Sequence, residues 1–368
     1  MSGDLEKIFN ILLENSFIKD LPDLHFASGK KPFIRDKSGE LIELDKVTIG
    51  EENYKIPEFK KDHIREVIRM IALDEGLEKF EKNFELDTSY AYEDKARFRV
   101  NCYIDNNGYC IAMRIIPTKA PTMKELGLGE GIKKMVEKKQ GLVLVTGPTG
   151  SGKSTMLAAM IDHINNNFSK HIITIEDPIE FTIPSKKCLI NQREVGNHTK
   201  GFEKAMKSAL REDPDVIIVG EMRDPETIKA VLTLAETGHL VISTLHTNDT
   251  VQSIDRIVDV FPASMQGQIR MQLSLALTGI ISQRLIKRKD EEGRIAAREI
   301  LVNNDAIRNL IIMAKSHQIY SVLEVGEKHG MVLMDKYLVF LFKKGLISKE
   351  SMMAYARDKD AISSLIKS

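Results

Sequence analysis

Gly141-Leu142-Val143-Leu144-Val145-Thr146-Gly147-Pro148-Thr149-Gly150-Ser151-Gly152-Lys153-Ser154-Thr155 is the stretch on which the fold of this chain turns. Leu142 to Val145 is a short apolar run, half of it β-branched, which predicts a strand buried on both faces. The run breaks into glycines and then into a helix whose apolar positions, Met156, Leu157, Met160, Ile161 and Ile164, keep helical spacing. The order is strand, loop, helix, and Gly147-x-x-x-x-Gly152-Lys153-Ser154 spans the loop.

Each residue type has a chemical reason. Glycines let backbone N–H groups curl inward as a nest around phosphate oxygens, where a Cβ would obstruct them. The helix N-terminus adds partial positive charge. Lys153 reaches the β- and γ-phosphates, and the Ser154 hydroxyl ligates Mg2+. Gly147, Pro148, Thr149, Gly150, Ser151, Gly152, Lys153, Ser154 and Thr155 are therefore expected to bind ATP with Mg2+, as the loop of a P-loop NTPase.

At 368 residues the chain has room for two or three domains. Lys+Arg and Asp+Glu are both 53, so no global basic charge points to a dedicated nucleic-acid binder. Cys102, Cys110 and Cys188 form no C-x-x-C pair, which argues against a zinc site and against a disulfide framework. No apolar run approaches the ~20 residues that span a bilayer, and the N-terminus has no signal-peptide pattern. The expectation is a soluble protein of a reducing compartment, the cytoplasm.

Residues 1–20 carry a helical pattern through Leu5, Ile8, Phe9, Leu12 and Leu13 that ends near Asn15. Leu24 to Glu43 alternates apolar and polar around Gly29 and Gly39, with a turn at Asp36 to Gly39. His63 to Phe84 returns to helical spacing. Asp87 to Ile116 is strand-rich, turning at Glu93-Asp94 and at Asn106-Asn107-Gly108. Residues 1–117 thus form an α+β domain, 118–128 a linker, and 129–368 a second domain of alternating strands and helices with a mostly parallel sheet. In the first domain, alternation puts Arg97 and Arg99 on one strand face and Phe98 and Val100 on the other. From about residue 253 the chain is expected to be almost wholly helical, including Met265 to Leu285, apart from a charged hairpin over Lys287 to Arg298 that turns at Glu292-Gly293.

Two strands of the second domain end in acids: His171 to Ile175 runs into Glu176-Asp177, and Val216 to Val219 runs into Gly220-Glu221. The carboxyl ends of parallel strands face the ligand crevice, so both acids belong beside the phosphates, whereas Asp215, preceding its strand, belongs at the opposite end. One carboxylate is needed near Mg2+ and another to orient the attacking water; order alone leaves open which does which. A third strand, Leu240 to Thr244, lies between His239 and His246. Their separation suits no metal site, and His246, at the carboxyl end, is read as a sensor of the γ-phosphate or a coupler to a neighbouring subunit.

With these residues in view, the sequence resembles the type IV pilus retraction motors, the twitching-motility ATPases of the secretion-ATPase superfamily. Walker A is Gly147 to Thr155. The Asp box is Ile175-Glu176-Asp177-Pro178-Ile179-Glu180-Phe181. Walker B runs from Asp213-Pro214-Asp215 to Gly220-Glu221-Met222-Arg223-Asp224, and the His box from Gly238-His239 to Leu245-His246-Thr247. Ile281-Ser282-Gln283-Arg284-Leu285 and Ala306-Ile307-Arg308-Asn309-Leu310-Ile311 extend the likeness, although Ile312-Met313 stands where those motors usually carry Arg-Glu.

The resemblance implies a PAS-like N-terminal domain, a RecA-like core with a helical C-terminal lobe, and a homohexamer that depolymerises pilin at an inner-membrane platform protein of the pilus assembly machinery. It makes Glu176 the catalytic carboxylate, gives Glu221 a share in positioning Mg2+, and adds Arg99 and Arg114 to the site. It implies no zinc and a cytoplasmic location peripheral to the inner membrane. A secretion-system motor keeps the chemistry and changes the cargo. A nucleic-acid translocase on the same core would need a basic groove or stacking aromatics, and the chain has no Trp, 8 Tyr and 14 Phe. A regulatory partner that binds nucleotide but barely hydrolyses it is disfavoured by Glu176 and Glu221 both being present.

Overall fold

The computed structural model describes residues 2–19, 21–36, 40–93, 95–116, 120–290 and 293–367. The chain divides into two units, Met1–Lys119 with Glu180–Thr182, and Ala120–Ile179 with Ile183–Ser368. The boundary expected after residue 117, and parts of the turns expected at Asp36–Gly39, Glu93–Asp94 and Glu292–Gly293, lie outside the described residues.

In the first unit, helix α1 (Ser2–Ile18) precedes strands β1 (Asp23–Ala27), β2 (Phe33–Arg35), β3 (Leu41–Glu43), β4 (Lys46–Ile49) and β5 (Glu52–Lys55). Helix α2 (Lys61–Asn83) then leads into β6 (Glu85–Tyr92), β7 (Ala96–Asp105) and β8 (Gly108–Ile116). Six of the strands make one antiparallel sheet in the order β3-β2-β1-β8-β7-β6, while β4 and β5 pair separately. The apolar stripes of α1 and α2 and the inner sheet face share a core in which the Phe26 ring packs, tilted, 5.9 Å from that of Phe9 and 5.1 Å from that of Phe59, centre to centre. Alternation on β7 is as expected, with Phe98 and Val100 buried and Arg99 exposed.

The second unit is a seven-stranded sheet covered by helices. Helix α3 (Glu130–Val136) and strand β9 (Gly141–Thr146) precede α4 (Lys153–Asn167), β10 (His171–Glu176), β11 (Leu189–Glu194), α5 (Phe202–Ala209) and β12 (Val216–Val219). Then come α6 (Pro225–Glu236), β13 (Leu240–Leu245), α7 (Thr250–Asp259), α8 (Ala263–Ala276), β14 (Leu277–Lys287) and β15 (Arg294–Val302). The order β11-β10-β12-β13-β9-β14-β15 is parallel throughout except for the last pair. β9, β12 and β13 are buried at every residue, the signature of central strands in a sheet covered on both faces. Asp224 caps α6 by accepting from the Thr227 N–H at 2.7 Å, with Pro225 pre-set at the first helical position.

The chain ends in α9 (Asp305–Ile312), α10 (Ile319–Val325), α11 (Met334–Lys343), α12 (Lys349–Tyr355) and α13 (Lys359–Lys367). One expectation is corrected. The helix read over Met265 to Leu285 stops at Ala276, and 277–287 is a strand lying parallel to β9 inside the sheet. The charged hairpin is the far end of β14 and β15 rather than an appendage, so the helical C-terminal part begins at Asp305 and not near residue 253. Gly279 shows why the strand is there: a Cβ would stand 2.6 Å from the Leu301 carbonyl and 2.7 Å from Met135 Cε, so the backbone passes where only glycine fits.

Candidate active site

The parallel sheet brings the ends of four strands to one edge. β9 runs out at Thr146 into the glycine loop, β10 ends on Glu176, β12 leads through Gly220 to Glu221, and β13 leads to His246. Asp215 sits at the other end of β12, where its carboxylate accepts from the His171 N–H at 2.9 Å. His239 is likewise at the far end of β13, its ring Nδ1 3.1 Å from the Leu234 carbonyl.

The loop has the form of a phosphate nest. Gly147, Gly150 and Gly152 adopt φ of 146°, 75° and 84°, a region open to glycine and strained for residues with a Cβ. At Gly147 a Cβ would also stand 2.3 Å from the Gln283 carbonyl. Helix α4 begins at Lys153, so Ser154 and Thr155 lie in its first turn. The Lys153 ammonium donates to the carbonyls of Gly147 at 2.8 Å and Pro148 at 3.1 Å. These are neutral acceptors at the lip of the loop, and a phosphate oxygen is a stronger one.

Around the loop stand the two acids and the histidine. One oxygen of Glu176 accepts from the Thr174 hydroxyl at 2.6 Å and from Gln192 Nε2 at 3.1 Å, which fixes the carboxylate's orientation at the strand end. Glu221 contacts the Arg223 guanidinium and lies 3.2 Å from His246 Nε2, whose Nδ1 lies 3.5 Å from the Thr149 hydroxyl. Burial, then the charges of Lys153 and Arg223, hold His246 below its ordinary pKa. The ring is therefore neutral at neutral pH. Since a carboxylate only accepts, Nε2–H donates to Glu221 and Nδ1 accepts from Thr149. His246 thus joins the tip of the phosphate loop to the Glu221 carboxylate.

Arg99 and Arg114 belong to the first unit and face each other directly across β7 and β8. Arg114 is held by Asp23 at 2.6 and 3.2 Å, while Arg97 donates to the Ser89 hydroxyl at 2.7 Å. Two residues escape a reading of the sequence, Thr174 and Gln192, and a third, Gln283, entered it only as a member of Ile281-Ser282-Gln283-Arg284-Leu285 with no role. Thr174 shares Glu176's strand face by the two-residue period, a signal that was present. Gln192 reaches Glu176 through the parallel register Thr174↔Gln192, which only the sheet reveals.

A phosphate nest at the carboxyl edge of a RecA-like parallel sheet, preceded by a PAS-like α+β unit, defines a P-loop ATPase. The chain belongs to the family described as type II/IV secretion system protein, which matches residues 63–337. It is 48% identical over 351 residues to the type IV pilus retraction ATPase PilT of Pseudomonas aeruginosa, spanning 95% of this chain and 97% of that protein. It is 48% identical over 308 residues to a twitching motility protein of Neisseria gonorrhoeae, 84% of this chain and 82% of that one. Among solved structures it is similar to the pilus retraction motor PilT with bound ADP, with a TM-score of 0.85, 40% identity and coverage of 96% and 98% of the two chains. It is also similar to the ATPase DotB of Legionella pneumophila, with a TM-score of 0.73, 27% identity and 93% of both chains.

Proposed function

We propose that this chain is the subunit of a homohexameric motor that hydrolyses ATP to retract type IV pili and so power twitching motility. The observation that carries the reading is the end-to-end likeness to PilT, 95% of one chain on 97% of the other, on a chain whose loop and strand-end acids are all in place. Residues 1–117 serve as the PAS-like domain, 118–128 as the linker and 129–368 as the ATPase domain. The partners are an inner-membrane platform protein and the pilus assembly machinery, so the motor works at the cytoplasmic face of the inner membrane. No helix among the described residues is long and apolar enough to cross a membrane.

Each residue has a role in the reaction. The amides of Gly147 to Thr155 bind the phosphates, and Lys153 exchanges its two carbonyl partners for phosphate oxygens. Glu176, fixed by Thr174 and Gln192, orients the attacking water. The oxygen donors Ser154 and Glu221 suit Mg2+, which prefers hard ligands and keeps several waters, and the glycine cradle leaves room for a metal-bound triphosphate. Bound there, the ion would screen the phosphate charge. His246 senses occupancy, because a γ-phosphate near Thr149 alters the hydrogen bond that leads to Glu221. Arg99 and Arg114 complete the site from a neighbouring subunit.

Deletion of the gene, scored for surface pili, tests the reading. Loss of a retraction motor leaves cells with excess pili that do not twitch, and loss of an extension motor leaves bald cells. Unchanged piliation would favour a secretion-system cargo, the second reading, which the family description, type II/IV secretion system protein, supports.

A further inference from the structure

Gln283 of β14 and Arg298 of β15 face each other in the antiparallel pair, both about 4% exposed. Arg298 Nε donates to Gln283 Oε1 at 2.7 Å, and Gln283 Nε2 donates to the Ser151 carbonyl at 2.7 Å. On its other side the guanidinium donates to the carbonyl of Leu126 at 2.7 Å and lies 3.5 Å from that of Gly127. One line of hydrogen bonds therefore runs from residues 126–127, through two buried side chains, into the phosphate loop.

Both members are constrained. A guanidinium only donates and a carbonyl only accepts, so the Gln283 amide has a single workable orientation. Burial pulls the Arg298 pKa down, and a buried cation is expensive enough that an apolar replacement is often neutral or stabilising. Packing alone does not account for an arginine here. The bond to Ser151 has a geometric consequence as well. In a planar trans peptide the C=O of one residue and the N–H of the next point in opposite directions. With the Ser151 carbonyl held down on Gln283, the Gly152 N–H is turned the other way, into the nest. Gly152 itself lies at φ 84°, where a residue with a Cβ is strained, and that Cβ would stand 2.9 Å from Gln283 Nε2.

We propose that Gln283 and Arg298 are positioning residues for the phosphate loop, which orient the Ser151–Gly152 peptide and make nucleotide affinity depend on the seating of the Leu126–Gly127 segment. The proposal rests on this loop binding nucleotide and is independent of the cargo. Neither side chain touches the nucleotide; each acts through the next. Signals from the unit that ends at Lys119 would reach the loop along this line, since residues 126–127 lie on the covalent route between them.

The test is the Kd of a fluorescent ADP analogue, with thermal stability measured alongside, in the full chain and in Gln283→Ala, Gln283→Glu, Arg298→Met and the double variant Gln283→Ala/Arg298→Met. Gln283→Glu decides most sharply. It keeps an acceptor for Arg298, and so the fold, but has no N–H to give Ser151. It should bind the analogue about tenfold or more weakly while still unfolding in one cooperative transition, as expected for a lost hydrogen bond that leaves two acceptors facing each other. Gln283→Ala and Arg298→Met should weaken binding in the same direction, and the double variant should be no weaker than the weaker single, the non-additivity of one line of contacts. Hydrogen exchange at the Gly152 amide should quicken in all of them. A folded Gln283→Glu with parental affinity overturns the proposal, as does strict additivity of the singles. A parent chain that binds no nucleotide overturns the ATPase reading with it, so the two failures are told apart by the parent.

Discussion

Lys153 rests on two carbonyls, Gly147 and Pro148, and a nucleotide phosphate must draw it away from both. Lys153→Ala removes the only loop side chain that brings a full positive charge to the β- and γ-phosphates, so ATP turnover should be abolished in a steady-state phosphate-release assay. Glu176→Gln keeps shape and loses the carboxylate. It should still bind ATP while turnover falls at least about a hundredfold, the usual contribution of a positioned acid or base; turnover at the parent rate would remove Glu176 from the role. Chelation by EDTA should stop hydrolysis and Mg2+ restore it, whereas a zinc-selective chelator should do nothing, and activity lost to the latter would reveal a metal site of another kind. His246 adds a pH dependence with a definite sign. Its pKa is lowered by burial and by the charges of Lys153 and Arg223, so the ring takes up its proton at a lower pH than an ordinary histidine does. Acidification to that pH protonates Nδ1, which then can no longer accept from Thr149. The acid limb of the rate profile should therefore shift in His246→Gln, which keeps an N–H for Glu221 and does not titrate. An unmoved limb would leave the carboxylates as its whole cause. The strand-end acids were legible because each follows a β-branched run; Thr174 carried only the two-residue period that puts it on Glu176's face, and Gln192 was hidden because its part is set by cross-strand register.

At the scale of elements, the central strands were the most legible. β9, β12 and β13 are continuous β-branched or leucine runs, and burial on both faces leaves no alternation to confuse with a helix. β14 was misread for a physical reason. The apolar spacing of α8 continues across the join, and no proline or glycine marks the residue where the chain turns extended, Leu277 at φ −61°, ψ 127°. The signal that was available is Thr278-Gly279-Ile280-Ile281, a glycine inside a β-branched run, which marks a close backbone approach. The misreading hid where Gln283 lies, and with it the support beneath the phosphate loop. Helix α9 poses the opposite case. It falls within the stretch expected to be helical, yet Ile312 and the following Met313 are 37% and 62% exposed, apolar residues on the surface where the resemblance leads one to expect an Arg-Glu pair. Restoring that pair, Ile312→Arg with Met313→Glu, should change stability by less than about 0.5 kcal/mol, because neither side chain fills the core. ATPase activity should be unchanged. If α9 couples hydrolysis to retraction, twitching speed in complemented cells should change alone; a matching loss of ATPase activity would show instead that α9 supports the catalytic core.

For the whole molecule the question is whether one chain holds a complete site. The phosphate loop, Glu176, Glu221 and His246 are in the second unit, and Arg99 and Arg114 are in the first. Two arginines directly opposite on neighbouring strands repel each other, and Asp23 offsets only part of this through Arg114. The sheet does not need the pair, and a placement that works against stability is the kind kept for function. Arg99 is exposed, so its loss should shift stability by less than about 0.5 kcal/mol. A guanidinium on the transferring phosphate contributes a rate factor on the order of 10³ to 10⁵. The two possibilities are therefore far apart in Arg99→Ala: near-parental turnover for a surface residue, almost none for a catalytic one. Mixing then decides which chain's nucleotide it serves. Lys153→Ala and Arg99→Ala subunits are each expected to be inactive alone. Combined under conditions where subunits exchange, they regain turnover only where an intact loop on one chain meets an intact Arg99 on another. Recovered ATPase activity in the mixture, rising and falling with the mixing ratio, supports action across a subunit boundary. No recovery despite exchange, followed by energy transfer between labelled subunits, would place Arg99 beside its own chain's nucleotide.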